Sequence, residues 1–369
     1  MMNREEYLKT IRREQAKPVP YFFCLCKAVQ DKFHAKYGQD ADYREFYQIP
    51  LREVHLRPTR LDPEKRFAAY WQDCDIPGKI NEWGIKLKKS EQDHFFSMVG
   101  PLRNLQTPEA VEQLPFPDLL EDYRWEGVAQ EIADLKARGY ITMVGVYGGD
   151  DIGLDPSLVP AYMDIFEASW YLCGLDNMLM SFYDNEEFAQ ALLDRMTDFK
   201  AKLAAKWAQA GIDILVTGDD VGTQKGMMMA PEQYRTWLKP RLKRVIDAAK
   251  AENPDILIHY HSDGNIEEII DDLVEAGVEI LNPIQPECMD PDQIIQKYRG
   301  RLSFNGSVGT QTTMPFASSD EVAAVCRARL ELTKDTGGMI LAPTHLIEPE
   351  VPIENVDAFV QAVREYNEE

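Results

Sequence analysis

Basic side chains are scarce in this chain. Only 40 Lys and Arg stand against 62 Asp and Glu, a formal net charge of −22 over 369 residues. Nucleic acid is therefore a poor partner, because phosphate binding needs clustered Lys and Arg and no such patch occurs. The acids are spread through helical segments rather than gathered in a tail, which helps solubility and suits a partner with a basic face. No apolar run reaches membrane-spanning length. The opening Met-Met-Asn-Arg-Glu-Glu lacks the apolar core of a signal peptide. The six cysteines (Cys24, Cys26, Cys74, Cys173, Cys288 and Cys326) have no disulfide-scaffold spacing, so free thiols in a reducing, cytoplasmic setting are expected. A Gly-rich phosphate fingerprint after the first strand-like run is also missing, which argues against a doubly wound nucleotide-binding fold.

What is present is enough apolar residue for a core, 44% of the chain. Residues 1–135 read as irregular, broken at Pro18-Val-Pro20, Pro101, Pro108 and Pro115-Phe-Pro117, with one buried strand at Tyr21-Phe-Phe-Cys-Leu-Cys26. Asn81-Glu-Trp-Gly-Ile85 reads as a short hairpin or loop. Thr107-Pro108 reads as a helix start, the Thr as N-cap and the Pro at the first helical position.

From residue 136 the texture is regular. Apolar runs of strand length occur at Tyr140–Val146, Met178–Phe182, Ile212–Val216, Ile256–Tyr260, Val278–Leu281, Leu302–Phe304 and Met339–Ala342. Amphipathic helices are expected over Glu186–Ala210, Pro231–Glu252, Asp320–Lys334 and Ile353–Glu365. With the run at Tyr21 the strands number eight, and strand–helix alternation with eight parallel strands closes a barrel. The expected architecture is an α/β chain in one domain spanning 1–369. It would be a (β/α)8 TIM barrel with an elaborated N-terminal region over 1–135 and regular repeats over 136–369.

In such a barrel the active site lies at the C-terminal ends of the strands. The run Ile256-Leu-Ile-His-Tyr-His-Ser-Asp-Gly-Asn265 is the centre of that argument. Side chains alternate along a strand, so His259, His261 and Asp263 share a face. Imidazole and carboxylate at that spacing suit a divalent metal such as zinc; a core histidine followed by a turn-forming Asp is the plainer alternative. Other strand ends supply Cys24 and Cys26, Tyr147, Tyr183 with Asp184, Asp219 with Asp220, Gln285 with Glu287 and Cys288, Asn305, and His345. Asp219 and Asp220 are expected to orient substrate or exchange a proton, unless they serve as a cap before the Pro231 helix or form a salt bridge. Tyr147 and Gln285 are placed to donate to a substrate oxygen, or else to close the barrel rim. Trp83 and Phe96 are candidates to cover the mouth, whereas His34, His55 and His94 read as surface or loop residues.

Several segments together carry a family likeness: Gly218-Asp-Asp-Val-Gly-Thr-Gln224, Met229-Ala-Pro-Glu-Gln-Tyr234 with Pro240, His261-Ser-Asp-Gly-Asn265, Asn305-Gly306, and Ala342-Pro-Thr-His345 with Pro352-Ile-Glu-Asn355. Over about residues 140–366 the chain resembles the uroporphyrinogen decarboxylase superfamily. It is most similar there to the zinc-dependent methyltransferase branch, which includes methylcobalamin:coenzyme M methyltransferases and corrinoid-linked demethylation proteins. In that branch zinc is held by a His-x-Cys pair and a later Cys. His261 matches the His, while Asp263 and His345 stand at the two Cys positions. The resemblance thus implies a metal set of His261, Asp263 and His345, with Glu287 and Cys288 as spare ligands.

Two departures shape the functional expectation. The decarboxylases carry an Arg-rich stretch after the first strand, where this chain reads Cys24-Leu-Cys-Lys-Ala-Val-Gln-Asp-Lys32 without Arg. It is therefore a poor receptor for a multiply anionic tetrapyrrole. Nitrogen and oxygen ligands in place of thiolates leave a harder metal, better at polarising an oxygen. The expected function is zinc-dependent transfer of a methyl group between a small O- or N-methylated donor and a corrinoid (methylcobalamin) on a partner protein. A uroporphyrinogen-decarboxylase-type lyase and a non-catalytic corrinoid or small-ligand-binding barrel are the alternatives.

Overall fold

A computed structural model of the chain describes residues 3–72, 76–89, 96–145 and 164–369. Among these, ten strands occur in chain order: β1 (Leu51–Val54), β2 (Lys79–Ile80), β3 (Lys86–Lys89), β4 (Phe96–Val99), β5 (Ile141–Val144), β6 (Ile214–Gly218), β7 (Leu257–His261), β8 (Ile280–Asn282), β9 (Ser303–Val308) and β10 (Met339–Pro343). Seven of them form one curled sheet in the order β1-β5-β6-β7-β8-β9-β10, and every neighbouring pair is parallel. Helices follow the later strands on the outside. The molecule is a TIM barrel.

The eighth stave is the expected run at Tyr21, although it forms no continuous ladder. Single parallel bridges join Tyr21 to Leu341 and Leu25 to Ile347, with backbone bonds from Phe22 N to Leu341 O (3.0 Å) and from Ile347 N to Cys24 O (2.9 Å). On its other side it meets β1 and the segment just before it through side chains. Phe23 packs on Tyr43 and Tyr47 at ring-centroid distances of 6.1 and 5.6 Å, and the Cys24 thiol lies 3.9 Å from the Glu53 carboxylate.

Two strand assignments differ from expectation, and they offset one another in the count. Met178–Phe182 is part of a helix, Leu175–Asp184, whose buried residues are Met178, Ser181 and Phe182. That spacing of three and four is helical, and in so short an apolar run it is easily taken for a strand. Tyr183 is consequently an exposed helical residue, 68% accessible, and no strand end. The second strand of the barrel is β1, Leu-Arg-Glu-Val, whose two charged residues hide it in the sequence. Arg52 reaches back to the Leu51 carbonyl (3.0 Å) and stacks over Tyr140 at 4.1 Å, which lets a guanidinium sit at a barrel wall.

The helix Glu186–Ala210 has the expected bounds. The expected Pro231–Glu252 helix is broken at Leu238 into Pro231–Trp237 and Lys239–Glu252, because Pro240 lacks the N–H to continue the first helix. Thr107 caps the helix Pro108–Gln113 by accepting from Ala110 N (3.2 Å). In the N-terminal elaboration β2, β3 and β4 form an antiparallel sheet. Trp83, expected as a possible cover for the mouth, is instead buried between Phe116 and Phe199 at 5.4 and 5.6 Å. Nearby, the buried Arg124 donates to Glu82 at 2.7 Å. Among the described residues no helix is long and apolar enough to cross a membrane.

Candidate functional site

The barrel mouth contains a cavity of about 50 Å³, lined from several staves by Cys24, Glu53, Met143, Val216, His259, His261, Asn282, Asn305 and His345, among others. Among the described residues neither Lys nor Arg lines it. Its position follows from strand phase: His259 and His261 alternate with Tyr260 and so face the barrel interior together.

At the rim three side chains come together. Asp220, His261 and Asp263 each offer a ligand atom, and these atoms lie within 4.8 Å of one another. Two loops have to touch for this to happen. A Cβ on Gly264, whose φ is +82°, would meet Gly222 backbone at 2.6 Å, and a Cβ on Gly222 would meet the Asp263 carbonyl at 2.7 Å. Both positions therefore require glycine. The contact is fastened by bonds from Asp263 N to Asp220 Oδ1 (2.8 Å) and from Asn265 N to Thr223 O (2.7 Å).

The orientation of His261 follows from its neighbours. Asn282 Nδ2 donates to the Asn305 backbone carbonyl (2.7 Å), which turns Asn282 Oδ1 towards His261 Nδ1 at 2.7 Å. An amide oxygen only accepts, so Nδ1 carries a proton and Nε2, 3.7 Å from Asp220 Oδ1, is the nitrogen left to bind a ligand. Burial opposes charge on His261, but the Asp263 and Asp220 carboxylates outweigh it and raise its pKa above the ordinary value. Burial likewise raises Asp263 despite the opposing pull of His261, and Asp263 Oδ1 is buried without a hydrogen-bond partner among the described residues. Two close carboxylates and an imidazole, one carboxylate oxygen unmet, are a donor set that a divalent cation satisfies. On this geometry Asn282→Leu should weaken zinc binding by about 10- to 100-fold, the usual effect of losing an outer partner of a ligating His. Equilibrium dialysis against zinc checks it, and unchanged affinity would show that His261 needs no such anchor.

The remaining expected site residues are distributed as follows. His345 lines the same cavity but lies outside the three-residue cluster, its Nδ1 3.6 Å from Glu348. Asp219 is turned away from the mouth. Its buried carboxylate accepts from Ile165 N (2.9 Å) and Glu167 N (2.8 Å) at the start of the helix Phe166–Cys173. Burial and the nearby Asp164 push it well above the usual carboxylate range. Gln285 accepts from Gly264 N (2.6 Å) and so holds the Asp263 turn. Glu287 accepts from Thr312 Oγ1 (2.9 Å), and Cys288 is half-buried with its carbonyl bonded by Asn265 (3.1 Å). Tyr147 and His94 lie outside the described residues, as does the side chain of Phe96. Sequence reasoning passes over Glu53 because its strand is hard to recognise, and Asn282 because it ends the apolar run Val278–Leu281 without a motif. Register could have found the latter, since Asn282 pairs directly with His261.

Comparison with known proteins agrees with this architecture. A solved structure of a methyltransferase from Methanosarcina mazei superposes with a TM-score of 0.67 at 18% identity, covering 99% of each chain; that likeness concerns the fold. Methylcobamide:CoM methyltransferase MtaA of Methanosarcina barkeri is 27% identical over 190 residues, 51% of this chain and 52% of that one. The chain thus spans about half the length of that relative. Uroporphyrinogen decarboxylase of Salinibacter ruber is 21% identical over 311 residues, 83% of this chain and 81% of that one. Residues 165–366, more than half of the chain, match the family described as Uroporphyrinogen decarboxylase (URO-D), and the chain belongs to that family.

Proposed function

We propose that the chain is a metal-dependent methyltransferase that passes a methyl group between a small O- or N-methylated donor and the corrinoid of a separate protein. The observation that carries this reading is the Asp220–His261–Asp263 cluster, with His261 Nε2 turned free by Asn282. Nitrogen and oxygen donors of this kind suit zinc, with His345 on the same cavity as the remaining donor. Bound there, zinc supplies Lewis acidity towards the heteroatom that bears the methyl group. The protein's own work is positional. Asn282 fixes the imidazole, Gln285 holds the turn that carries Asp263, and Asp219 anchors the start of the helix Phe166–Cys173. Met143, Val216 and Leu346 line the cavity with apolar surface that disfavours water around the reacting methyl group.

The decarboxylase alternative loses support at the same cavity. A tetrapyrrole with many carboxylates needs cationic receptors, and no Arg or Lys among the described residues lines this one. Protein purified without chelator is expected to hold about one zinc per chain. Given a methylated donor and reduced cobalamin, it should form methylcob(III)alamin, read by absorbance, and leave uroporphyrinogen intact. Protein that neither retains nor takes up zinc would remove the reading's support, and efficient coproporphyrinogen formation would reverse it in favour of the lyase.

A further inference from the structure

One layer deeper than the metal cluster, the barrel holds a polar pair that its surroundings do not satisfy. His259 on β7 and Asn305 on β9 are each 4% exposed and line the same cavity. Asn305 Nδ2 lies 3.2 Å from His259 Nε2. Their other polar atoms, His259 Nδ1 and Asn305 Oδ1, are buried and have no partner among the described residues. Met143, Val216 and Ala342 line the cavity beside them. Buried polar atoms are nearly always paired, and an unmet one costs more than an ordinary hydrogen bond contributes.

Hydrogen-bond chemistry decides what fits. With the amide donating to His259 Nε2, the imidazole proton sits on Nδ1, and the unmet atoms are an N–H donor and a carbonyl acceptor. With the amide turned over, Asn305 Oδ1 accepts from Nε2–H, and the unmet atoms are the Nδ1 lone pair and the amide N–H. Either way one donor and one acceptor remain. A carboxylate only accepts, an ammonium only donates and a methyl group does neither. A hydroxyl does both.

We infer that His259 and Asn305 form a subsite for an uncharged hydroxyl at the end of the substrate remote from the transferred methyl group. The inference rests on the methyltransferase reading, in which the methyl-bearing end lies at the Asp220–His261–Asp263 cluster. Two residues along a strand separate His259 from His261 by about 6–7 Å, the scale of a para-substituted ring between its two end groups. The substrate class is therefore a small, neutral methoxy compound with a hydroxyl at its far end.

The test is calorimetric binding to zinc-loaded, full-length protein, so that it does not depend on turnover. The probes are 4-methoxyphenol, 4-methoxytoluene (a methyl in place of the hydroxyl) and 4-methoxybenzoate. The phenol should bind roughly 10- to 100-fold more tightly than the toluene, because the toluene leaves both buried polar atoms unmet; the benzoate should bind no better than the toluene. In Asn305→Leu the preference should fall to within about threefold with zinc content unchanged, since Asn282 bonds the backbone carbonyl of residue 305, which the substitution keeps. Should that variant fail to fold, the wild-type comparison still decides. Equal affinity for phenol and toluene overturns the inference, as does a crystal of the phenol complex with only a bound water at the pair. If the preference holds but no methyl group reaches cobalamin, the subsite stands and the functional reading falls. Methyl transfer without the preference leaves the functional reading standing and removes the subsite.

Discussion

His261→Ala is expected to abolish zinc retention and methyl transfer together, with little change in folding. Loss of an outer partner alone costs about 10- to 100-fold in metal affinity, so loss of the ligand itself should exceed about 100-fold. The imidazole sits at the end of β7, with 19% of its side chain exposed, and contributes little to the core. The Tm of metal-free protein should therefore move by less than about 3 °C. Asp263→Asn should separate the two effects further. It removes one of two close carboxylates, and Asp263 is already held above its ordinary pKa by burial. The metal-free variant should thus be as stable as wild type or more so, while its zinc content falls. Zinc analysis, turnover and thermal melting on one preparation give all three readings. A His261→Ala protein that keeps its zinc would remove the metal site from this part of the barrel.

Lys200→Met should give the largest loss of stability. Lys200, on the helix Glu186–Ala210, donates to Asp164 at 2.7 Å, and both side chains are fully buried. Removing the cation leaves a carboxylate in the interior, which typically costs about 3–5 kcal/mol. The exposed pair Lys243–Asp247, also at 2.7 Å, provides the contrast: Lys243→Met should cost less than about 1 kcal/mol, because water screens both partners. The loss should also depend on pH. Burial raises the Asp164 pKa despite Lys200, and the substitution raises it further. A carboxyl whose folded pKa lies above its unfolded value contributes stability that is complete below the unfolded value and is lost as pH rises through the folded one. The variant should therefore fare worse at pH 8 than at pH 5 in urea unfolding. A loss below about 1 kcal/mol at pH 8 would mean that Asp164 is not left stranded.

How much of this is legible in the sequence depends on how local each feature is. The strands from β5 onward are readable because a parallel strand covered on both faces is a continuous apolar run. β1 is not, since its Glu53 lines the cavity and its Arg52 is accommodated only by stacking on Tyr140. Met178–Phe182 misleads because five apolar or small residues suit either period until the neighbouring turns are known. The Tyr21 run reads correctly as a stave, yet its sparse bridges reflect a partner, β10 and the loop beyond it, that the run itself does not specify.

The chain's own order determined that helices alternate with parallel strands, that His259 and His261 face one way, and that no Arg cluster follows the first stave. Each of these is a property of consecutive residues, set by a period of two or by composition. Only the tertiary structure decided that Asp220, rather than His345, falls within ligand distance of His261 and Asp263, and that Asn282 frees Nε2 of the imidazole. Those relations join residues on neighbouring staves. They exist because Gly222 and Gly264 let two loops approach more closely than any side chain would permit, and because register sets Asn282 opposite His261.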